Sequence, residues 1–272
     1  MKTFVDTHCH LDDEAFSDDL SEVLAASSAA GVEKMVVPGT SLASSERCVA
    51  LSEAFAEIWS AVAIHPNCLT EELEKFPELS QKETFLERMS TLAAHPRVCA
   101  IGETGLDLYW QETPLEIQKR FLAWHLELAR QKEVPVLLHC REAEAELLEV
   151  VRHDFQRHGP VRGILHSFSG NRAFLEDCLE LGFLISYSGS VTYTNRKFDA
   201  LRETVPYVPD DRLLVETDSP YLIPVPFRGK REKNLPALVV HTAECLAALR
   251  TTTLEEIAEQ TTRNACRFLR LE

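Results

Sequence analysis

A chain of 272 residues with 45% hydrophobic and 26% charged side chains has enough apolar material for one large core, which excludes a disordered sequence. Its formal net charge of −15, from 28 Lys+Arg against 43 Asp+Glu, repels polyanions unless cations or a local basic patch intervene, and so excludes non-specific coating of nucleic acid. No apolar run reaches the roughly 18 residues of a membrane span. The eight cysteines form no CxxC pair, and Asp6 and His8 interrupt the first apolar stretch; reduced thiols in a cytoplasmic protein without a membrane partner are expected.

The elements follow an alternation. Thr3–His8 is predicted as a strand, and Glu14–Ala30 as a helix with Phe16, Leu20, Val23, Leu24 and Ser27 on one stripe and Gly31 as its stop. Strands are predicted at Lys34–Thr40, Ile58–His65 and Arg97–Gly102 from short length and β-branched content. A helix over Pro114–Glu133 follows, with Thr113 as N-cap and proline at the first position. Strand Pro135–His139, helix Glu142–His158, strand Val161–His166, helix Arg172–Leu181 and strands Phe183–Tyr187 and Leu213–Glu216 come next, then helices Pro236–Leu249 and Leu254–Leu269. Eight strands, each followed by a helical or loop-plus-helix segment, with no linker between them, predict an α/β chain folded as a single-domain (β/α)8 TIM barrel over residues 1–272. An open doubly wound sheet also alternates, but it usually carries a glycine-rich phosphate loop after its first strand, where this chain has His-Cys-His.

Such barrels present catalytic groups at the C-terminal ends of their strands. Residues there include His8 and His10, whose i, i+2 spacing turns both imidazoles to one side, then His65, Glu103, His139, His166 and Asp218. Each has an ordinary explanation alone: a hydrogen-bonded rim histidine for His65 or His166, a turn cap for Glu103, an N-cap before Pro220 for Asp218. Their gathering on one face predicts a shared metal site instead. His8, His10, His139 and His166 with Glu103 and Asp218 form a nitrogen/oxygen set without thiolates, which suits Zn, Mn, Fe, Ni or Mg. Six ligands are too many for one tetrahedral ion with an open position, and two ions about 3.5–4 Å apart use all six, with Glu103 as the bridge. Strand alternation turns Cys9 and Cys140 to the opposite side, as packing residues.

The stretches "DTHCHLD" (6–12), "AIHP" (63–66), "IGETGLD" (101–107), "PVLLHCREA" (135–143), "GILHSFSG" (163–170), "ISYSG" (185–189), "LLVETDSPYL" (213–222) and "RGKR" (228–231) resemble, in order, the TatD family of metal-dependent deoxyribonucleases in the amidohydrolase superfamily. The resemblance implies a TIM barrel with one or two divalent ions at its mouth, and hydrolysis of DNA phosphodiester bonds, often as a 3′–5′ exonuclease with Mg²⁺. It implies that His8, His10, Glu103 and Asp218 hold one ion, that Glu103, His139 and His166 hold the second, and that His65 contacts the substrate phosphate. One departure stands out: the family usually continues "RGKR" with Asn-Glu-Pro, whereas this chain reads "RGKREKNLPA", with Glu232 and Lys233 inserted and Leu235 where Glu is usual.

The expected chemistry is attack of a metal-bound hydroxide on phosphorus, with Asp218 taking the water proton and the second ion stabilising the leaving 3′ oxygen. Mg²⁺ is the favoured ion, with Mn²⁺ or Zn²⁺ as substitutes. Single-stranded DNA or 3′ ends are the expected substrate, and a monomer the expected form. Arg228, Lys230 and Arg231 form a basic cluster for phosphates, or a solvated loop. Tyr109 and Trp110 are expected to pack at the rim, with stacking on a base as the alternative. The competing function is an amidohydrolase acting on a lactone or cyclic amide, since fold and metals do not fix the substrate. Many such enzymes bridge their ions with a carboxylated lysine, and Glu103 occupies that position here. A non-catalytic protein on an inherited barrel would have lost ligands, and all six are present.

Overall fold

A computed structural model describes residues 2–272. In chain order its elements are β1 (Phe4–Asp6), α1 (Leu20–Ala29), β2 (Val32–Pro38), α2 (Leu42–Ala54), β3 (Ile58–Val62), α3 (Leu69–Lys75), α4 (Lys82–Leu92), β4 (Val98–Asp107), α5 (Leu115–Lys132), β5 (Val136–Arg141), α6 (Glu144–His158), β6 (Gly163–Leu165), α7 (Arg172–Glu180), β7 (Leu184–Tyr187), α8 (Asp199–Thr204), β8 (Leu213–Val215), α9 (Val239–Arg250) and α10 (Leu254–Leu269). Among the described residues the eight strands form one sheet in the order β1 to β8, the sheet of the expected (β/α)8 barrel. All eight predicted strands are present. No helix among the described residues is long and apolar enough to cross a membrane.

The chain groups into two compact units. The first runs to Val37 and adds His166–Leu179 and Leu184–Glu272. It holds the parallel pairs β1–β2 and β7–β8. β8 also reaches β1: Thr7 donates its N–H and its hydroxyl to the Val215 carbonyl, and Cys9 bridges Ser219 in parallel register. α10 is tied beneath these strands, since Asn264 donates its amide to the Leu213 and Asp210 carbonyls and Thr262 bonds the Thr3 carbonyl. Thr253 and Glu256 close a capping box at its start, a device worth about 1 kcal/mol.

The second unit, Pro38–Leu165 with Glu180–Phe183, carries the consecutive parallel pairs β3–β4, β4–β5 and β5–β6. β4 extends five residues past its predicted end at Gly102 and is buried over its whole length. Its Gly105 has φ +150°, and a Cβ there would lie 2.0 Å from the His139 carbonyl oxygen, so only glycine lets β4 approach β5 this closely. α2 begins where Ser41 accepts the Ser44 N–H and buried Glu72 accepts that of Leu42. The helix predicted from Thr113 starts one residue later. Pro114 occupies the cap, and the Thr113 hydroxyl is engaged by Thr70, so it does not cap. All eight cysteines are free thiols, and Cys9 is buried with its Sγ toward the Val36 carbonyl.

Candidate metal centre

In the first unit, β1 runs into His8 and His10 and β8 runs into Glu216 and Asp218. His8 Nε2 and His10 Nε2 lie 3.2 Å apart, and Asp218 Oδ1 lies 3.8 and 3.4 Å from them. Ligands about 2.1 Å from one ion are separated by about 3.0–3.4 Å, so two of these three separations match donors around a common cation and the His8–Asp218 one is longer. Burial pushes the Asp218 carboxyl up, but the His10 contact and the neighbouring imidazoles His166 and His8 outweigh it and hold it below its ordinary value. His166, which follows β6, stacks on His8 with ring centroids 3.9 Å apart and turns Nδ1 toward Glu216 Oε1 at 3.3 Å. Glu216 is fully buried; Oε1 also accepts the Ser167 N–H at 2.7 Å, while Oε2 has no hydrogen-bond partner among the described residues. A buried carboxylate oxygen left unsatisfied costs on the order of 1–3 kcal/mol or more. A divalent cation held by His8, His166 and Glu216, whose donor atoms lie within 4.8 Å of one another, removes that cost. The donor set therefore fits a metal.

Asp6 supports this arrangement from below. It accepts from the Thr217 hydroxyl, the Thr217 N–H and the His8 N–H, and burial nevertheless pushes its carboxyl up to about 8. The loop bearing Arg228, Lys230 and Arg231 is exposed. Arg228 lies 3.8 Å over the Tyr193 ring and bonds Asn195, and Arg231 lies over Phe227. The inserted Lys233 donates to both carboxylate oxygens of Asp19 at 2.8 Å, which pins the atypical loop. Asn234 is buried, with its amide on the Thr217 carbonyl and its N–H on that of Pro220.

In the second unit, His65, Glu103 and His139 gather. His139 places Nδ1 2.8 Å from Glu103 Oε1 and Nε2 3.1 Å from Asp107 Oδ2. A carboxylate behind a histidine fixes its ring and raises its basicity, which is how metal-ligating histidines are held. Burial alone would raise the Asp107 carboxyl; bonds from His139, the Trp110 N–H and Asn67 reverse this and hold it well below the carboxylate range. His65 differs. Its Nδ1 accepts the Asn67 N–H at 3.2 Å, so a neutral ring carries its proton on Nε2, 3.4 Å from Glu103 Oε1. That nitrogen is a donor, suited to an acceptor oxygen.

Thus the structure groups His8, His10, His166 and Asp218 in one unit, and His65, Glu103 and His139 in the other. Sequence reasoning missed Glu216 and Asp107. Both stand at even spacing from a predicted ligand, two residues before Asp218 and four after Glu103, which is the signal that could have found them.

Comparison with known proteins places the chain in a family. The model of the family described as TatD related DNase matches residues 5–270. The uncharacterized metal-dependent hydrolase YabD of Bacillus subtilis (strain 168) is 36% identical over 266 residues, covering 98% of each chain. The protein named 3′-5′ ssDNA/RNA exonuclease TatD of Klebsiella pneumoniae (strain 342) is 34% identical over 263 residues, covering 95% of each. The crystal structure of YJJV, a TatD homolog from Escherichia coli K12, matches with a TM-score of 0.85 and 29% identity over 97% of both chains. With buried histidines and carboxylates gathered at strand ends and a family match over almost its whole length, the chain belongs to the TatD family of metal-dependent hydrolases.

Proposed function

We propose that the protein hydrolyses phosphodiester bonds of single-stranded DNA from the 3′ end, using two divalent ions, with Mg²⁺ as the working metal and Mn²⁺ or Zn²⁺ as substitutes. The observation that carries this reading is the thiolate-free set of buried imidazoles and carboxylates, above all the buried Glu216 Oε2, which a cation would satisfy. The Klebsiella relative named as an ssDNA/RNA exonuclease supports this substrate class. His8, His10, His166, Glu216 and Asp218 would hold one ion, and Glu103 and His139 the other. Such ions act as Lewis acids on a phosphodiester and lower the pKa of an attacking water.

The chain's own groups supply the rest. Asp218, kept ionised by the surrounding imidazoles, takes the proton of the water. Asp107 holds His139 in place, and His65 Nε2–H donates to a phosphate oxygen. Arg228, Lys230 and Arg231 meet the phosphates that follow, with Arg228 stiffened by its stack on Tyr193.

The test is a screen of metal-reconstituted protein against single-stranded DNA, RNA and a panel of lactones and cyclic amides. Shortening of DNA from the 3′ end, stopped by EDTA, supports the reading. Intact DNA with hydrolysed lactone replaces it with the amidohydrolase function. The role of Glu103 is read by metal counting: Glu103→Ala should lower both metal content and turnover, and full activity with two ions in that variant removes Glu103 as a ligand.

A further inference from the structure

We infer that Tyr109 and Trp110 form a rigid shelf on which a nucleobase of a single-stranded substrate stacks, with the Arg141 guanidinium beside it. The inference rests on the nuclease reading and adds a base subsite to it. The two rings are not rim packing: Tyr109 is 48% and Trp110 61% exposed, among the most exposed large hydrophobic side chains of the protein. They meet edge to face, centroids 4.9 Å apart at 86°, so they present faces in two directions. Arg141, exposed at the end of β5, lies 4.6 Å over the Tyr109 ring, where a cation strengthens an aromatic platform and attracts a phosphate.

Exposed aromatics on a loose loop would lose much of their stacking energy to ordering. These are held. Asp107 Oδ1 accepts the N–H of Tyr109 at 2.9 Å and of Trp110 at 3.0 Å, and Leu108 donates its N–H to the Arg141 carbonyl. The Asp107 backbone is clamped in turn by buried Gln118, which accepts its N–H and donates to its carbonyl. The other oxygen of the same carboxylate bonds His139 Nε2. One side chain therefore sets both a candidate metal ligand and the aromatic turn, which links the shelf to Glu103 through three hydrogen bonds. Every base has a π-face, so such a shelf serves DNA and RNA alike and shows little sequence preference.

The experiment uses the full-length, Mg²⁺-loaded protein and two strands of equal length and charge, a phosphorothioate oligothymidylate that resists cleavage and its abasic counterpart. Of three tryptophans, Trp59 is buried, Trp124 half-buried and Trp110 exposed, so quenching by a bound strand reports mainly on the shelf. The base-bearing strand should quench this fluorescence and bind about 5- to 100-fold more tightly than the abasic one. Trp110→Ala should erase that preference, measured by competition with a labelled strand, and Trp110→Phe should keep most of it. Equal affinity for the two strands in the parent protein overturns the shelf, as does an undiminished preference in Trp110→Ala. A change in oligomeric state on Trp110→Ala with an intact base preference overturns it in favour of contact between copies. Base-dependent quenching without cleavage of any unmodified strand supports the shelf while refuting the nuclease reading, so the two failures are distinct.

Discussion

His125 offers a quantitative test of how the second unit is held together. It is fully buried in α5, its Nε2 accepts the Ile64 N–H at 3.3 Å, and Nδ1 therefore carries the proton and donates to Thr104 Oγ1 at 2.9 Å. It thus ties the residue before His65 to the residue after Glu103. Burial lowers its pKa from 6.5 to about 3, because no anion compensates a charged ring there. The sign follows from linkage. Between pH 6.5 and about 3 the unfolded chain binds a proton that the folded chain refuses, so stability falls as the pH drops through that window. Between pH 7 and pH 5 this one residue removes about 2 kcal/mol, from about 1.4 kcal/mol per pH unit below the unfolded pKa. In His125→Gln the amide oxygen keeps the bond to Ile64 and nothing titrates. Urea unfolding of both proteins at the two pH values isolates the effect, since all other titrating groups cancel in the difference. The variant should be less stable at pH 7, and its deficit should shrink by about 2 kcal/mol at pH 5. Parallel stability curves would mean that His125 is not held neutral in the fold, and the proposed tie would fail.

Gly105→Ala should destabilise by about 3 kcal/mol or more and strip metal from Glu103 and His139, because the new methyl strikes the His139 backbone; thermal unfolding and metal counting check this, and a loss under about 1 kcal/mol would contradict it. Glu216→Gln keeps the size of the side chain but removes its charge, so metal affinity should drop about 10- to 100-fold in calorimetric titration, and an unchanged affinity would deny Oε2 its role. Lys233→Ala breaks a partly exposed pair with Asp19 and should cost about 0.5 kcal/mol in urea unfolding; a loss above about 2 kcal/mol would show that the inserted residues are integral to the fold.

The strands were legible because short β-branched runs with polar residues at one end have few other readings. α2 was not, since Ser44, Ser45, Cys48 and Ser52 make up much of its buried face and erase the apolar stripe on which helical periodicity depends. Its start is fixed by Glu72, thirty positions away in the chain. β4 outruns its sequence signal for a related reason. Gly102 and Gly105 look like strand breakers, yet a Cβ at either would strike β5, so they are what permits the pairing to continue to Asp107.

The same alternation that exposed His8 and His10 also contained the residues that were missed. On β1, Asp6 precedes them on the same side and holds the His8 N–H; on β8, Glu216 precedes Asp218 and bonds His166; on β4, Asp107 follows Glu103 and bonds His139. Each of these strands carries, within it or just past its end, a buried acid at even spacing from a candidate ligand. The physical reason is common to all three. An imidazole has two nitrogens, and a ring that gives one to a cation needs a partner for the other, or its backbone fixed, if it is to stay aimed in a dry pocket. An acid at even spacing on the same strand, or on a neighbouring one, supplies that partner without lengthening a loop. On the proposed reading Asp107 and Glu216 therefore matter to the site as much as the histidines they bond, and Gln, which keeps the shape of Glu216 but not its charge, separates orientation from charge.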